Sequence, residues 1–64
     1  MFDNNLYNLM MQSTVEHRSL WRIKNEYLKD ANGHADSKKF WMKMIRDKEA
    51  HIKELKALIK QELK

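Results

Sequence analysis

The side chains of this sequence best placed to do chemistry are Glu16, Lys48 and His51, which interrupt two otherwise apolar helical stripes. A carboxylate, an ammonium and an imidazole can form ion pairs or pass protons, and the carboxylate and imidazole can also ligate a metal ion. A charge inside an apolar stripe must be paired, because an unpaired charge is costly to remove from water. The sequence therefore predicts a polar layer in which Glu16 pairs with Lys48 and His51 lies alongside.

Two helices on either side of Asn32-Gly33 would bring these residues together. Gly33 can adopt the left-handed conformation that ends a helix. The chain has one Gly and no Pro, too few turn residues for a β-fold of this length. We expect an all-α fold, a two-helix antiparallel hairpin over about residues 3–31 and 36–63, forming a single domain over residues 1–64.

The helix ends and the register also have sequence signals. Asp3 and Asp36 are the expected N-caps, and Phe2 with Tyr7 has the spacing of a hydrophobic staple at the first helix. Folding at the turn places Glu16 and Lys48 at nearly the same height, since they lie 17 and 15 residues from the turn glycine. His51 follows Lys48 by about one helical turn, so we expect it level with Ser13 or Glu16.

The apolar stripes are wider than one helix–helix contact requires, spanning arcs of about 160° on the first helix and about 140° on the second. Ordering each residue costs roughly 1.5 kcal/mol, which a lone hairpin contact does not offset. We therefore expect a homodimer that forms a four-helix bundle, with docking onto a different protein as the alternative. The residues expected in the core or at the dimer interface are Leu9, Leu20, Trp21, Ile23, Tyr27, Trp41, Met44, Ile45, Ile52, Leu55, Leu58 and Ile59.

The sequence lacks the residues that several classes of function require. The chain has no Cys, which excludes disulfides, thiolate chemistry and Cys-based zinc sites. No Gly-rich phosphate loop or nucleophile elbow is present, so we predict a protein that is not an enzyme and that needs no cofactor or metal. The sequence has neither a long apolar stretch nor the pattern of a secretory signal, which favours a cytoplasmic protein without a membrane partner.

The second-helix segment Asp47-Lys48-Glu49-Ala50-His51-Ile52, together with Glu16 on the first helix, resembles half of a ferritin-like bundle of the rubrerythrin type. In that family a Glu on one helix and a Glu-x-x-His on the next bind a di-iron centre, and two halves complete the bundle. Glu16 and His51 match two of those positions.

Lys48 departs from that pattern, because it stands where the family has its bridging Glu. A cation cannot ligate iron, and Asp47 and Glu49 each point about 100° away from Lys48 on the helix. The resemblance therefore implies a bundle in which an ion pair has replaced the metal. The alternative is a residual metal site built from Glu16 and His51 of both chains.

The charge distribution leaves a third function open. The net charge of +4 belongs to residues 33–64, since the acidic and basic residues of 1–32 balance. Basic residues on the outer surface of the second helix could bind nucleic acid without sequence specificity, although acidic residues are interspersed and nucleic acid is not the favoured partner. These basic residues are Lys38, Lys39, Lys43, Arg46, Lys53, Lys56 and Lys60.

Overall fold

The computed structural model describes residues 3–64 as an antiparallel helical hairpin with overall dimensions of 49 × 16 × 13 Å. The first arm consists of α1 (Asn4–Arg22), a π-helical turn (Ile23–Tyr27) and the short α2 (Leu28–Asp30). The second arm is a single helix, α3 (Ala35–Glu62). The predicted all-α hairpin is confirmed. None of the helices in the described residues combines the length and apolar character needed to cross a membrane.

The chain reverses where the sequence predicted it would. Gly33 has φ of 86°, a left-handed conformation that costs glycine little and other residues more. The turn is closed by the backbone N–H of His34, which donates to the carbonyl of Ala31 at 2.9 Å. Ala31 is itself only 5% exposed, so the turn packs against the end of the hairpin.

The helix ends differ in part from the prediction. Asp3 occupies the N-cap position of α1, but its side chain makes no capping hydrogen bond, and its carbonyl accepts the N–H of Tyr7 at 3.0 Å. The N-cap of α3 is His34, so the prediction that Asp36 caps this helix was wrong. Asp36 lies in the first turn instead, where its charge still favours the positive end of the helix dipole. The predicted staple involves Phe2 and lies outside the described residues.

The first arm contains a π-helical turn that the sequence did not predict. The N–H of Leu28 donates to the carbonyl of Ile23, five residues earlier, instead of four as in an α-helix. A helical wheel assumes about 100° per residue throughout, so it placed Trp21 on the same stripe as Leu28. In the structure Trp21 is 58% exposed, whereas Leu28 is half-buried.

The core of the hairpin is a narrow seam between the two arms. The buried apolar residues among the described ones are Leu6, Ile23 and Ala31, of which Ile23 is 1% exposed. Near the turn, the rings of Tyr27 and Trp41 are 4.9 Å apart between centroids. The predicted core residues that are half-buried in the seam are Leu9, Leu20, Tyr27, Trp41, Met44, Ile45, Ile52, Leu55 and Ile59.

Two of the residues predicted for the core or the dimer interface, Trp21 and Leu58, are 58% and 46% exposed. Neither packs into the seam of a single chain. Their burial requires a second protein surface, so their place at a dimer interface stays a prediction. The pairing of two hairpins into a four-helix bundle stays a prediction as well.

Candidate functional site

The structure brings Glu16, Lys48 and His51 together between the two arms. Glu16 is 5% exposed and is the only buried charged residue in the described part of the chain. The Nζ of Lys48 donates to its Oε2 at 2.8 Å, and the Nδ1 of His51 donates to its Oε1 at 2.6 Å. Both carboxylate oxygens are therefore occupied, each by a side chain of α3.

Regular helix geometry explains why these three side chains meet. Lys48 and His51 are three residues apart on α3, a spacing that puts side chains on neighbouring turns of one face. On α1, Glu16 precedes Leu20 and Ile23 by about one and two turns, and of these Leu20 is half-buried and Ile23 is buried. Glu16 thus faces the seam because it lies on the same face of the first arm as these apolar residues.

The charge on Glu16 is held in place by its partners. The hydrogen bond from Lys48 lowers the pKa of the Glu16 carboxyl, burial opposes that effect, and the hydrogen bond from His51 lowers the pKa further. The net direction is down from an ordinary value of 4.5. Glu16 is therefore an ionised acceptor at neutral pH.

The polar layer has a closed side and an open side. The side chain of Lys48 is 14% exposed, whereas that of His51 is 57% exposed although its Nδ1 is bound to Glu16. Within residues 3–64, the Nε2 of His51 makes no hydrogen bond. His51 therefore links the buried carboxylate to the surface.

A shallow groove opens next to His51, and we call it the His51 groove. It has a volume of about 320 Å³. Its lining residues are Gln12, Glu16, His51, Glu54, Leu55 and Leu58. The groove combines polar groups from both arms with Leu58, which is 46% exposed, so it is a surface hollow with an apolar end.

Two further polar contacts join the arms, and sequence reasoning missed both. The Nζ of Lys24 lies 3.3 Å from the Oε2 of Glu49, with both side chains about half exposed. Near the ends of the arms, the Nδ2 of Asn5 donates to the Oε1 of Glu62 at 2.6 Å. Contacts of this kind between arms depend on how far the side chains reach, which a count of residues along two helices does not show.

A second hollow lies at the turn and was also missed. It has a volume of about 350 Å³. It is lined by Tyr27, Asp30, Ala31, His34, Ser37 and Trp41. The available signal was the position of Tyr27 and Trp41 on either side of Gly33 at similar distances along the chain.

The polar layer does not fit the metal centre that the ferritin-like resemblance implies. Residues 3–64 contain no group of three or more His, Asp or Glu side chains close enough to hold a metal ion. Both oxygens of Glu16 are engaged, and the ammonium of Lys48 lies 2.8 Å from one of them. A metal ion here would face a cation and a single free imidazole nitrogen, a poor donor set for iron.

The same contacts limit acid–base chemistry at Glu16. A general base must offer a free lone pair to the proton that it removes, but here one oxygen is held by the ammonium and the other by the imidazole. The arrangement is better suited to fixing one helix against the other than to turning over a substrate.

Comparison of the chain with protein-family models, with curated proteins and with solved structures gave no match. The function must therefore be argued from the geometry of the hairpin.

Proposed function

We propose that this chain is a non-enzymatic structural or interaction protein that works as a homodimeric four-helix bundle, in which the Glu16–Lys48–His51 layer sets the register of the helices. The observation that carries the proposal is the amount of apolar surface left outside the seam. Large hydrophobic side chains that are 42–65% exposed are Tyr7, Met10, Met11, Val15, Trp21, Phe40, Met42, Leu58 and Leu63.

The exposed residues argue for a partner because they outnumber what the hairpin buries. Among the described residues only three apolar side chains are buried, and burial of apolar surface is the main term that favours folding. A second hairpin stacked on the first would double the helices that surround the core. Most soluble oligomers are symmetric assemblies of identical chains, so a second copy is the partner that we propose.

The flank of the hairpin that carries the His51 groove is the better candidate for this contact. On α3, Phe40, Met44, His51 and Leu58 follow one another on this flank at about one or two helical turns. Phe40 and Leu58 are 52% and 46% exposed. Gln12 of α1 lines the same groove, so both arms contribute to this flank.

The charges that border this flank favour contact with a second copy. The α1 border is basic, with Arg18 and Arg22 beside Val15 around one surface hollow. The α3 border carries Asp47 and Glu54, the latter in the His51 groove. A two-fold axis along the bundle would place α1 of each hairpin against α3 of its partner, and so basic borders against acidic ones.

The register of the polar layer predicts one pair across the proposed interface. Since Glu16 and Lys48 lie at the same level, Arg18 lies near the level of Asp47, and the proposed axis sets Arg18 of one chain against the equivalent of Asp47 in the other.

Sedimentation equilibrium should show a dimer. We expect Arg18→Asp to weaken the dimer, Asp47→Arg to weaken it as well, and the two changes in one chain to restore it.

A matched control is Lys53→Asp, a charge reversal on the opposite flank of α3, which should leave the dimer unchanged. A folded monomer at micromolar concentration would overturn the proposed homodimer. Single reversals that leave the dimer unchanged would show that the contact uses another face, and a combination that weakens it further would show that Arg18 and Asp47 do not face each other.

A further inference from the structure

The outer flank of α3 carries a row of four cations at seven-residue intervals, which we call the cationic row: Lys39, Arg46, Lys53 and Lys60. All four side chains are exposed. Seven residues are about two turns, so the cations follow one another every ~10.5 Å along one side of a straight helix. The row therefore extends about 31 Å, most of the length of the arm.

The cationic row has no counter-charge within the hairpin. None of its four residues forms a salt bridge in the described part of the chain. The nearest acid on that flank, Glu49, is held by Lys24 at 3.3 Å. Charges that serve only solubility are usually mixed in sign, whereas the opposite flank of α3 carries the acids Asp47 and Glu54. The row itself contains no acidic residue.

One exposed apolar side chain lies beside the row. Met42 lies between Lys39 and Arg46, three and four residues away, and is 49% exposed. The surface thus combines regularly spaced positive charge with an apolar contact point at Met42.

We propose that the cationic row docks an acidic amphipathic helix of a partner protein, with carboxylates at seven-residue intervals facing the row and apolar side chains covering Met42. The repeat distance favours a helix, because carboxylates two turns apart on a second helix have the same ~10.5 Å spacing. The phosphates of a nucleic-acid strand are far more closely spaced, at about 3.4 Å along the axis, and would leave Met42 uncovered.

The row lies on the flank opposite to the His51 groove. An acidic helix could therefore bind to one chain or to a dimer formed through that groove, and this inference does not depend on the proposed homodimer. Interfaces of this kind use charged groups for orientation and apolar contacts, here at Met42, for affinity.

The test uses the full chain and a labelled synthetic peptide of about four heptads, with Glu at one flanking position and Leu in the apolar seam of each heptad. We expect fluorescence anisotropy to show saturable binding, and a peptide with Lys in place of each Glu not to bind. The double variant Arg46→Glu/Lys53→Glu should lower the affinity at least about tenfold, which corresponds to about 1.4 kcal/mol.

Two further variants distinguish the effect of the cationic row from the effect of the net charge. Lys29→Glu/Lys43→Glu makes the same change in net charge away from the row, and it should alter the affinity by less than about twofold. Met42→Ser should lower the affinity several-fold with no change in charge. Equal losses in the two double variants would overturn the proposal, as would an absence of saturable binding. Tighter binding of a single-stranded oligonucleotide, lost with Arg46→Glu/Lys53→Glu, would assign the row to nucleic acid instead.

Discussion

The Nζ of Lys48 lies 2.8 Å from the Oε2 of Glu16, and this contact joins the middle of α3 to the middle of the first arm. The side chains are 14% and 7% exposed, so the pair is shielded from solvent. A buried ion pair adds little net stability compared with apolar residues of the same volume, but the loss of one partner leaves an uncompensated charge. The contact is therefore better understood as a fixed register point than as a large source of stability.

Replacing Lys48 alone should destabilise the protein strongly. Lys48→Met leaves the buried carboxylate without its ammonium, and we expect the free energy of unfolding to fall by about 3 kcal/mol. The double variant Glu16→Met/Lys48→Met removes both charges and should recover most of that loss while keeping the oligomeric state of the parent. Urea denaturation, with sedimentation on each variant, measures both quantities.

The exposed pair of Lys24 and Glu49 supplies the control. Its side chains are 47% and 53% exposed, so Lys24→Met should cost less than about 1 kcal/mol. If the double variant at Glu16 and Lys48 unfolds as easily as Lys48→Met alone, the polar layer contributes something that apolar packing does not replace.

Acid should destabilise the protein through Glu16. Its pKa is lowered in the folded state, chiefly by the hydrogen bond from Lys48. The associated stability is therefore fully present above the ordinary value of 4.5 and is lost as the pH falls through the folded-state pKa. Melting temperatures measured from pH 6 to pH 2.5 should fall less steeply for Glu16→Gln than for the parent below about pH 4.5. Parallel curves would mean that other carboxylates account for the acid sensitivity.

The left-handed conformation of Gly33 predicts that different substitutions there reduce the free energy of unfolding by different amounts. Its φ is 86°, and a Cβ added there would meet nothing within 4 Å. The cost of a side chain is therefore confined to the backbone, and Gly33→Ala should reduce the free energy of unfolding by about 1–2 kcal/mol. Gly33→Asn should cost less, because Asn adopts the left-handed conformation more readily than Ala. Equal stability of the Ala variant and the parent would contradict this account of the turn.

Two neighbouring apolar residues should respond very differently to truncation. Ile23 is 1% exposed and Trp21 is 58% exposed. We expect Ile23→Ala to cost about 2–5 kcal/mol because it leaves a cavity in the seam. Trp21→Ala should have a smaller effect on unfolding of the hairpin, although Trp21 is the larger residue. A larger loss for Trp21 would indicate that its ring is covered by a partner.

The sequence contained the information for those features that depend on periodicity and on the turn. The break at Gly33 and the meeting of Glu16 with Lys48 follow from counting residues on two regular helices. His51 also contacts Glu16, from a position one helical turn after Lys48 on α3. Each of these depends only on the pitch of an α-helix and on one residue that tolerates a positive φ.

Features that depend on local hydrogen bonding could not be predicted in the same way. The π-helical turn at Ile23–Tyr27 contains no Gly or Pro, the residues that usually mark an irregularity, so nothing in the sequence distinguished it from an α-helix. The capping of α3 depends on which backbone geometry the turn adopts, and His34 took the position expected for Asp36. The lost alignment of Trp21 with Leu28 follows from the first of these differences.

The π-helical turn changes the direction in which the side chains of α2 point relative to those of α1. A turn that is closed five residues apart, rather than four, advances by less than 100° per residue, so α2 is rotated about the helix axis relative to its position in an uninterrupted α-helix. In an uninterrupted α-helix, Leu28 would lie within about 20° of Trp21, seven residues earlier, and the two side chains would share one face. Because the π-helical turn separates them, Leu28 is half-buried in the structure while Trp21 stays at the surface, 58% exposed.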